Sequence, residues 1–238
     1  MEALVVKNLS KHISGKKILD DISFEVKTGE IFGLIGPNGA GKTTTLRTVA
    51  SLLQVETGHV GIFGHKLPEG AGEIRKIISY LPEDAGAYKN LKGREYLEFI
   101  ASFFASGDEA RRLVERGVEI AALGDRIGDR VDTYSKGMMR RLLVGRALMV
   151  RPRLAILDEP SSGLDVLNAR EIRRIIKEAS EGGLSVLLSS HNMLEVELMC
   201  ERIALINQGK IVALGAPEEL KKRYRVENIE EVFTQLVK

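Results

Sequence analysis

Tryptophan is absent from this 238-residue chain, and cysteine occurs only once, at Cys200. A single cysteine excludes an intrachain disulfide and is typical of a protein that works in a reducing compartment. Because an isolated cysteine is most often a small buried apolar residue, we interpret Cys200 as part of the core. Apolar residues make up 44% of the chain, which is enough for one large α/β domain, with or without a small inserted lobe.

Long hydrophobic runs are also lacking. The longest apolar runs, such as residues 31–35 and 185–188, are far shorter than the roughly 20 residues that a membrane-spanning helix requires. Residues 1–7 do not combine a basic stretch with a following apolar core, so we expect no signal peptide. Any role at a membrane is therefore expected to depend on a partner protein.

Positive and negative charges are also nearly balanced in this chain. Lys and Arg number 35 against 33 Asp and Glu, so the net charge is only +2. This balance gives no general attraction to nucleic acid or to acidic lipid. The one basic cluster, residues 221–225, has the composition of a solvated helix face, and no nucleic-acid partner is expected.

The most informative pattern that is present is G-x-x-x-x-G-K-T at residues 36–43. It follows a short apolar stretch typical of a buried strand and precedes the opening of a helix. The alternative is a glycine-rich surface turn, which would need neither of these flanking elements. Such a loop points successive N–H groups into one concavity at the positive end of the helix. Lys42 can then reach the β- and γ-phosphates and assist catalysis, while the Thr43 hydroxyl is free to bind Mg²⁺. The residues predicted to bind the nucleotide here are Gly36, Pro37, Asn38, Gly39, Ala40, Gly41, Lys42, Thr43 and Thr44.

Two carboxylates, Asp158 and Glu159, follow the apolar residues 154–157. Ligands of α/β sheets bind at the carboxyl ends of strands. We therefore predict that Asp158 holds Mg²⁺ beside Thr43 and that Glu159 orients and deprotonates the attacking water. The alternative is a pair of acids that ends a surface strand, which is less favoured in a chain with a phosphate loop.

A histidine, His191, follows the next apolar stretch, residues 185–190. From the carboxyl end of that strand it could donate a hydrogen bond to a γ-phosphate, and we predict a catalytic role for it. The alternative is a structural or simply exposed histidine.

The remaining pattern predicts the organisation of the chain. Residues 22–26 alternate between apolar and polar, which indicates a strand with one buried face, and residues 74–82 are expected to form a strand that ends in a loop. Aromatic residues over 96–104 recur at helical spacing and are expected to line one helix face. Strands and helices alternate again from residue 154, which predicts a parallel sheet. We expect a single domain, residues 1–238, with an α/β core (1–83 and 153–238) and an inserted helical lobe (84–152).

The segment Tyr134-Ser135-Lys136-Gly137-Met138 precedes the acidic strand. Together with the motifs above, it resembles the Leu-Ser-Gly-Gly-Gln signature of the nucleotide-binding subunits of ATP-binding-cassette (ABC) transporters. Ser135 and Gly137 are kept, and the other three positions differ. The variant is similar to the form found in the branch that serves drug, lipid and polysaccharide exporters. The resemblance covers essentially the whole chain.

The presence of Ser135 and Gly137 in the signature has a physical explanation. Ser135 lies at the predicted start of a helix, where its hydroxyl and the free N–H groups form an anion site. Gly137 leaves out a side chain that would hold a phosphate away. The alternative is a serine that merely caps a surface helix, and both can hold at once.

The resemblance implies further features. The fold would be a P-loop NTPase core with a mainly parallel sheet, an N-terminal antiparallel β subdomain and an inserted α-helical subdomain. Asp165 would brace the phosphate loop of a second subunit, and Glu83 would bind Mg²⁺ where most members carry Gln. Ile13, with His12 second, would pack against the adenine, because no aromatic residue is available there.

The function implied is ATP hydrolysis that powers an exporter. ATP and Mg²⁺ would be the cofactors, sandwiched between two ATPase subunits in a homodimer or heterodimer. Separate transmembrane permease subunits would hold the protein at the inner, cytoplasmic face of the membrane. Two alternatives stay open: a non-transport member acting in translation or DNA repair, and a kinase. The single cassette and the absence of heptads between the loop and the signature disfavour the first, and the signature itself disfavours the second.

Overall fold

The computed structural model describes residues 1–237; Lys238, the last residue of the predicted domain, lies outside the described residues. The strands are β1 (Glu2–Ile13), β2 (Lys16–Lys27), β3 (Ile31–Ile35), β4 (Thr57–Ile62), β5 (His65–Lys66), β6 (Ile78–Leu81), β7 (Leu154–Asp158), β8 (Ser185–Ser190), β9 (Arg202–Asn207) and β10 (Lys210–Gly215). The α-helices are α1 (Lys42–Val49), α2 (Ala71–Ile77), α3 (Gly93–Ala101), α4 (Gly107–Ala121), α5 (Lys136–Met149), α6 (Val166–Glu181), α7 (Met193–Glu197), α8 (Pro217–Tyr224) and α9 (Ile229–Leu236). Two short 3₁₀ helices, Gly124–Gly128 and Val131–Thr133, lie between α4 and α5.

The strands form two sheets. A mixed six-stranded sheet has the order β10-β9-β3-β8-β7-β6, and all its neighbours pair in parallel except β9 with β10. An antiparallel sheet with the order β2-β1-β4-β5 forms the N-terminal part. The predicted fold class, a mainly parallel α/β core with an N-terminal antiparallel sheet, is therefore confirmed.

The six-stranded sheet lies between two hydrophobic cores, because its central strands are apolar on both faces. In β7, Ala155 and Leu157 pack on one side with α5, α6 and α9, while Leu154 and Ile156 pack on the other with α1 and the antiparallel sheet. Burial on both faces explains why β3, β7 and β8 each contain consecutive apolar residues instead of an alternating pattern. Cys200 packs in the first core, and burial raises the pKa of its thiol, so its predicted packing role is confirmed.

Residues 71–77 correct the sequence analysis, which expected a strand over residues 74–82. They form the helix α2, and only Ile78–Leu81 pairs with the sheet. Ile74 is fully buried, and Ile77 packs against the same core three residues later, which is helical spacing. The β-branched isoleucines favour a strand, but packing decides the structure.

The segment from 84 to 152 contains α3, α4 and α5, and we call residues 84–152 the helical segment. That it forms a separate lobe stays a prediction. The expected aromatic helix face is only partly present. Helix α3 ends at Ala101, so Phe103 and Phe104 lie beyond it and are 69% and 61% exposed. Among the described residues, no helix is long and apolar enough to cross a bilayer.

The sheet register brings distant residues together. Strands β3, β7 and β8 are neighbours, with Ile35 opposite Ser190 and Asp158 opposite Ser189. Their carboxyl ends therefore lie at one edge of the sheet. The phosphate loop, the acidic pair and the histidine all start from this edge.

Candidate nucleotide site

The loop between β3 and α1 depends on glycine at two positions. A Cβ on Gly36 would lie 2.1 Å from the carbonyl oxygen of Ile206, so the loop passes too close to β9 for any side chain. Gly41 caps α1 with φ of 109°, in the region that glycine favours. The N–H groups of the first turn of α1 have no partner within the helix and point toward the loop concavity.

Lys42 is buried at the start of α1, and only 7% of its side chain is exposed. Its ammonium donates hydrogen bonds to the carbonyl oxygens of Gly36, at 2.8 Å, and Pro37, at 3.3 Å. Nζ also lies 3.3 Å from Oε1 of Glu159. The positive charge is thus fixed between the loop and the acidic pair.

Asp158 is buried and accepts hydrogen bonds from three hydroxyl groups. Ser189 Oγ lies 2.6 Å and Thr43 Oγ1 3.3 Å from Oδ1, and the Tyr80 hydroxyl lies 3.4 Å from Oδ2. Burial raises the pKa of Tyr80, and its hydroxyl donates to Asp158. Asp158 and Thr43 therefore present oxygen atoms side by side, as the sequence predicted.

Glu159 is 4% exposed and has a φ of 49°, which is uncommon for a residue with a side chain. Strained backbone of this kind clusters at functional sites. Its N–H donates to Ser189 Oγ at 3.0 Å, and its Oε2 accepts from the His191 backbone N–H at 3.3 Å. Nδ1 of His191 lies 2.9 Å from the same oxygen. Oε1 is buried and accepts no hydrogen bond from residues 1–237, but it forms an ion pair with the Lys42 ammonium at 3.3 Å.

These groups line a cleft of about 390 Å³. The predicted residues that it brings together are Asn38, Gly39, Gly41, Lys42, Thr43, Thr44, Glu83 and Glu159. Gly36, Pro37 and Ala40 form the turn beneath the cleft, and His191 contacts Glu159 from the side. Ile13 is not part of the lining: it ends β1 and is 42% exposed, whereas Ile18 of β2 lines the cleft.

Glu83 is held at the cleft by a residue that the sequence analysis did not single out. Arg140 on α5 is 7% exposed, and its Nη2 donates to the Glu83 carbonyl oxygen at 2.9 Å. Burial lowers the pKa of this guanidinium, and the nearby acidic side chains Glu83, Asp158 and Glu159 oppose that shift. The contact ties α5 to the loop that carries Glu83.

A comparison with protein families shows the family of the chain. The family model described as ABC transporter matches residues 19–162, which is more than half of the chain. The chain belongs to the ABC transporter family. Its predicted activity, ATP hydrolysis that powers transport, is confirmed by this membership.

Individual ABC relatives are similar over most of the chain. The uncharacterized ABC transporter ATP-binding protein YhcH of Bacillus subtilis is 41% identical over 210 residues, which cover 88% of this chain and 68% of the relative. The lipopolysaccharide export system ATP-binding protein LptB of Escherichia coli is 35% identical, covering 96% and 97%. A solved structure of an ATP-binding subunit of an ABC transporter superposes with a TM-score of 0.86 at 30% identity and covers 99% of this chain and 100% of its own.

The ABC signature residues lie outside the cleft. Ser135 caps α5, with its Oγ accepting from the Met138 N–H at 3.2 Å, and this supports its interpretation as a helix cap. A Cβ on Gly137 would lie 2.1 Å from Cγ of Asn168, so one reason for this glycine is contact with α6 of the same chain.

Asp165 lies beside the signature residues Ser135 and Gly137, and we call these three residues the signature surface. It caps α6 and accepts from the Asn168 N–H at 3.0 Å and from Asn168 Nδ2 at 2.6 Å. The hydrogen bonds from Asn168, the backbone one first, hold the pKa of Asp165 below its usual range. Within one copy, Ser135, Gly137 and Asp165 thus form a second surface that does not line the cleft.

A buried network behind the acidic pair was missed by the sequence analysis. Glu195 on α7 is 7% exposed and accepts from Ser161 Oγ and from Arg173 Nη1, both at 2.7 Å. Ser161 follows Glu159 closely in the chain, and α7 follows His191. The network therefore joins the segment that leads to Asp165 with the segment that carries the histidine.

Proposed function

We propose that this chain is the ATPase subunit of an exporter and that two subunits clamp two ATP molecules between them. The observation that carries the proposal is the division of the predicted site into two surfaces. The cleft holds the phosphate loop with Glu159, and Asp158 contacts Thr43 of that loop, while Ser135 and Gly137 lie elsewhere on the same chain. A second subunit that brings its own signature surface to this cleft would complete the site.

Each cleft residue has a role in the proposed reaction. The N–H groups at the start of α1 and the Lys42 ammonium bind the β- and γ-phosphates. Glu159 accepts a proton from the attacking water through Oε1, which no hydrogen bond from residues 1–237 occupies. The backbone N–H of His191 orients the Glu159 carboxylate through Oε2, and the His191 ring donates one hydrogen bond to the γ-phosphate.

The oxygen atoms of Thr43, Asp158 and Glu83 fit Mg²⁺. No group of three or more His, Cys, Asp or Glu placed to hold a metal occurs within residues 1–237, but Mg²⁺ commonly takes one or two carboxylates and completes its shell with phosphates and water. The Thr43 and Asp158 oxygens are 3.3 Å apart, close enough to share one ion. When bound, Mg²⁺ would offset the charge of the phosphates.

Partner subunits in the membrane are proposed to dock at a groove beside β6. Ile78, Ile100, Phe103 and Phe104 line this groove of about 380 Å³. The two phenylalanines are mostly exposed, which is unusual for large apolar side chains outside an interface. Docking there would hold the chain at the cytoplasmic face of the membrane and close to the loop that carries Glu83.

Export is favoured by the names of relatives. LptB is named for lipopolysaccharide export, and LnrL of Bacillus subtilis, 35% identical over 221 residues, is named for linearmycin resistance. A role in DNA repair is disfavoured because the longest helix between the loop and the signature is the 15-residue α4.

Co-purification tests the transport proposal. We expect the tagged chain to retain a polytopic membrane protein from detergent-solubilised membranes, and Phe103→Asp to lose it. The control is Leu52→Asp, at an apolar residue that is 59% exposed outside the groove. Retention of ribosomes or DNA instead would overturn the transport proposal.

The proposed dimer predicts the effect of Gly137→Ala. The added Cβ must displace Asn168, so the variant should lose both stability and ATP turnover. In Gly137→Ala/Asn168→Ala the clash is gone, and thermal stability should return. Turnover should stay about 100-fold below that of Asn168→Ala, because the methyl group still separates the signature from the partner's phosphate. Full turnover in the double variant would mean that Gly137 serves only the contact with α6.

Base selectivity is predicted to be weak. An aliphatic contact discriminates poorly between purines, so ATP and GTP turnover should agree within about tenfold. Ile13→Ala and Ile18→Ala, each assayed for the KM of ATP, will show which isoleucine packs against the base. A strong preference for ATP in the unchanged protein would contradict both assignments.

A further inference from the structure

A second cleft, of about 440 Å³, lies at the opposite edge of the six-stranded sheet. Arg153 comes just before β7, and Gly183 just before β8, so the cleft is at the amino ends of these strands. The nucleotide cleft is at their carboxyl ends. Arg116 of α4 and Leu148 of α5 bring the helical segment into the wall. The two clefts therefore do not overlap.

Three guanidinium groups line this cleft, from Arg116, Arg151 and Arg153, and we call it the arginine cleft. In the part of the chain that the structure describes, no salt bridge or side-chain hydrogen bond involves any of the three. Nε of Arg116 is shielded from solvent and donates to no acceptor within residues 1–237. A buried donor without a partner is costly, and no residue of the described chain offsets that cost for Arg116.

The one acidic residue in the wall does not meet this demand. Glu178 lines the cleft, but both its carboxylate oxygens accept from Arg174 Nη1, at 2.7 and 2.9 Å. Arg153 lies with its guanidinium 3.7 Å above the ring of Phe63, which fixes the plane of the group and leaves its edge free to donate. The net charge of the wall is therefore positive.

A simpler explanation is that these arginines stabilise helix ends. Helices α5 and α6 both end at this edge, and cations are favourable near helix C-termini. That role would place guanidinium groups on the last carbonyl oxygens of the helices. None of the three makes such a hydrogen bond among the described residues, so the helix ends do not satisfy the donors.

We propose that the arginine cleft binds a compact, multiply charged phosphate anion, with Arg116 and Arg153 donating to its oxygens. Guanidinium groups match phosphate geometry in paired hydrogen bonds, and the opposite charges of the two groups strengthen these bonds. Because Arg116 belongs to the helical segment and Arg153 leads into β7, the bound anion fastens α4 to the sheet. The site is independent of ATP hydrolysis and would exist even if the proposed export function were wrong.

Titration with inorganic pyrophosphate, followed by calorimetry, tests the proposal. The nucleotide cleft is first saturated with Mg²⁺-ADP, and free Mg²⁺ is held constant. We expect one binding site whose Kd rises about tenfold or more in Arg116→Gln and in Arg153→Gln. Arg111→Gln is the matched control, because Arg111 lies on the same helix but is exposed and paired with Asp108. No binding to the ADP-saturated protein, or equal binding by all variants, would overturn the proposal.

Thermal unfolding supplies a second readout. In phosphate-free, low-salt buffer, Arg116→Gln should melt at the same temperature as the unchanged protein or higher, since it removes a charge and an unpartnered donor. Pyrophosphate should raise the melting temperature of the unchanged protein and of Arg111→Gln, but not that of Arg116→Gln. A large loss of stability in Arg116→Gln without pyrophosphate would contradict the inference, because it would mean that Arg116 already has a structural partner.

The phosphate could come from a soluble compound or from a lipid headgroup. Glycerol 3-phosphate and vesicles containing phosphatidic acid carry the same phosphate monoester. Arg116-dependent binding of the first assigns a soluble anion, and Arg116-dependent binding of the vesicles alone assigns the headgroup. Binding of either one that Arg116→Gln does not weaken would count against the arginine cleft.

Discussion

Glu159→Gln is expected to lower ATP turnover by at least about 100-fold, the usual contribution of a general base. The amide has the same size as the carboxylate but cannot take a proton from water. The backbone at Glu159 is unchanged by this substitution, so its N–H still donates to Ser189. Phosphate release at saturating Mg²⁺-ATP measures the loss.

The same variant should accumulate the ATP-bound dimer. With hydrolysis blocked, the two proposed subunits have no step that reopens them, and molar-mass measurement during size-exclusion chromatography with ATP should give twice the mass of the monomer. Glu181→Gln, at an exposed carboxylate beyond the site, is the control and should turn over normally. A Glu159→Gln protein that stays monomeric at saturating ATP would contradict the sandwich mechanism. Normal ATP turnover in Glu159→Gln would contradict the role of Glu159 as the general base.

The phosphate loop and the acidic pair could be predicted because their signals are local. Each lies directly after a short apolar run, and the ends of parallel strands meet at one edge of a sheet. The structure places Asp158 beside Thr43 although 115 positions separate them in the chain. The prediction needed only the phosphate loop and the rule that ligands bind at the carboxyl ends of strands.

The supporting residues could not be predicted in the same way. Ser189, Tyr80 and Arg140 contact the acidic pair or the Glu83 loop only through the register of β6, β7 and β8 and the placement of α5. One signal was available: two serines end β8, directly after the apolar residues 186–188. A hydroxyl at a buried strand end needs a partner, and the neighbouring Asp158 provides it.

The residue that contacts the adenine is difficult to predict from the sequence for a different reason. The sequence analysis expects Ile13 to pack against the adenine. In the structure, β1 and β2 form a hairpin in which Ile13 pairs with Lys16. The chain turns there, and Ile18 on the returning strand reaches the cleft. A hairpin turn of two residues decides which isoleucine lines the cleft, and hydrophobic pattern alone does not reveal where such a turn falls.

Lys42→Met is expected to have two effects that a second substitution separates. Loss of the ammonium should weaken ATP binding about 100-fold, because a charge-assisted contact to phosphate is removed. It should also lower the free energy of unfolding by about 3 kcal/mol, because it leaves the buried Glu159 carboxylate without its cation. Nucleotide titration measures the first effect, and urea unfolding without nucleotide measures the second.

In Lys42→Met/Glu159→Gln the buried charge is gone, so most of the lost stability should return. ATP binding should remain weak, since the glutamine amide does not replace an ammonium at the phosphates. Glu159→Gln alone should unfold close to the unchanged protein, because Lys42 keeps its hydrogen bonds to Gly36 and Pro37. If the double variant is no more stable than Lys42→Met, the 3.3 Å contact between Nζ and Oε1 does not hold the resting site together. Lys42 would then act on the nucleotide alone, and Glu159 would keep its position through His191.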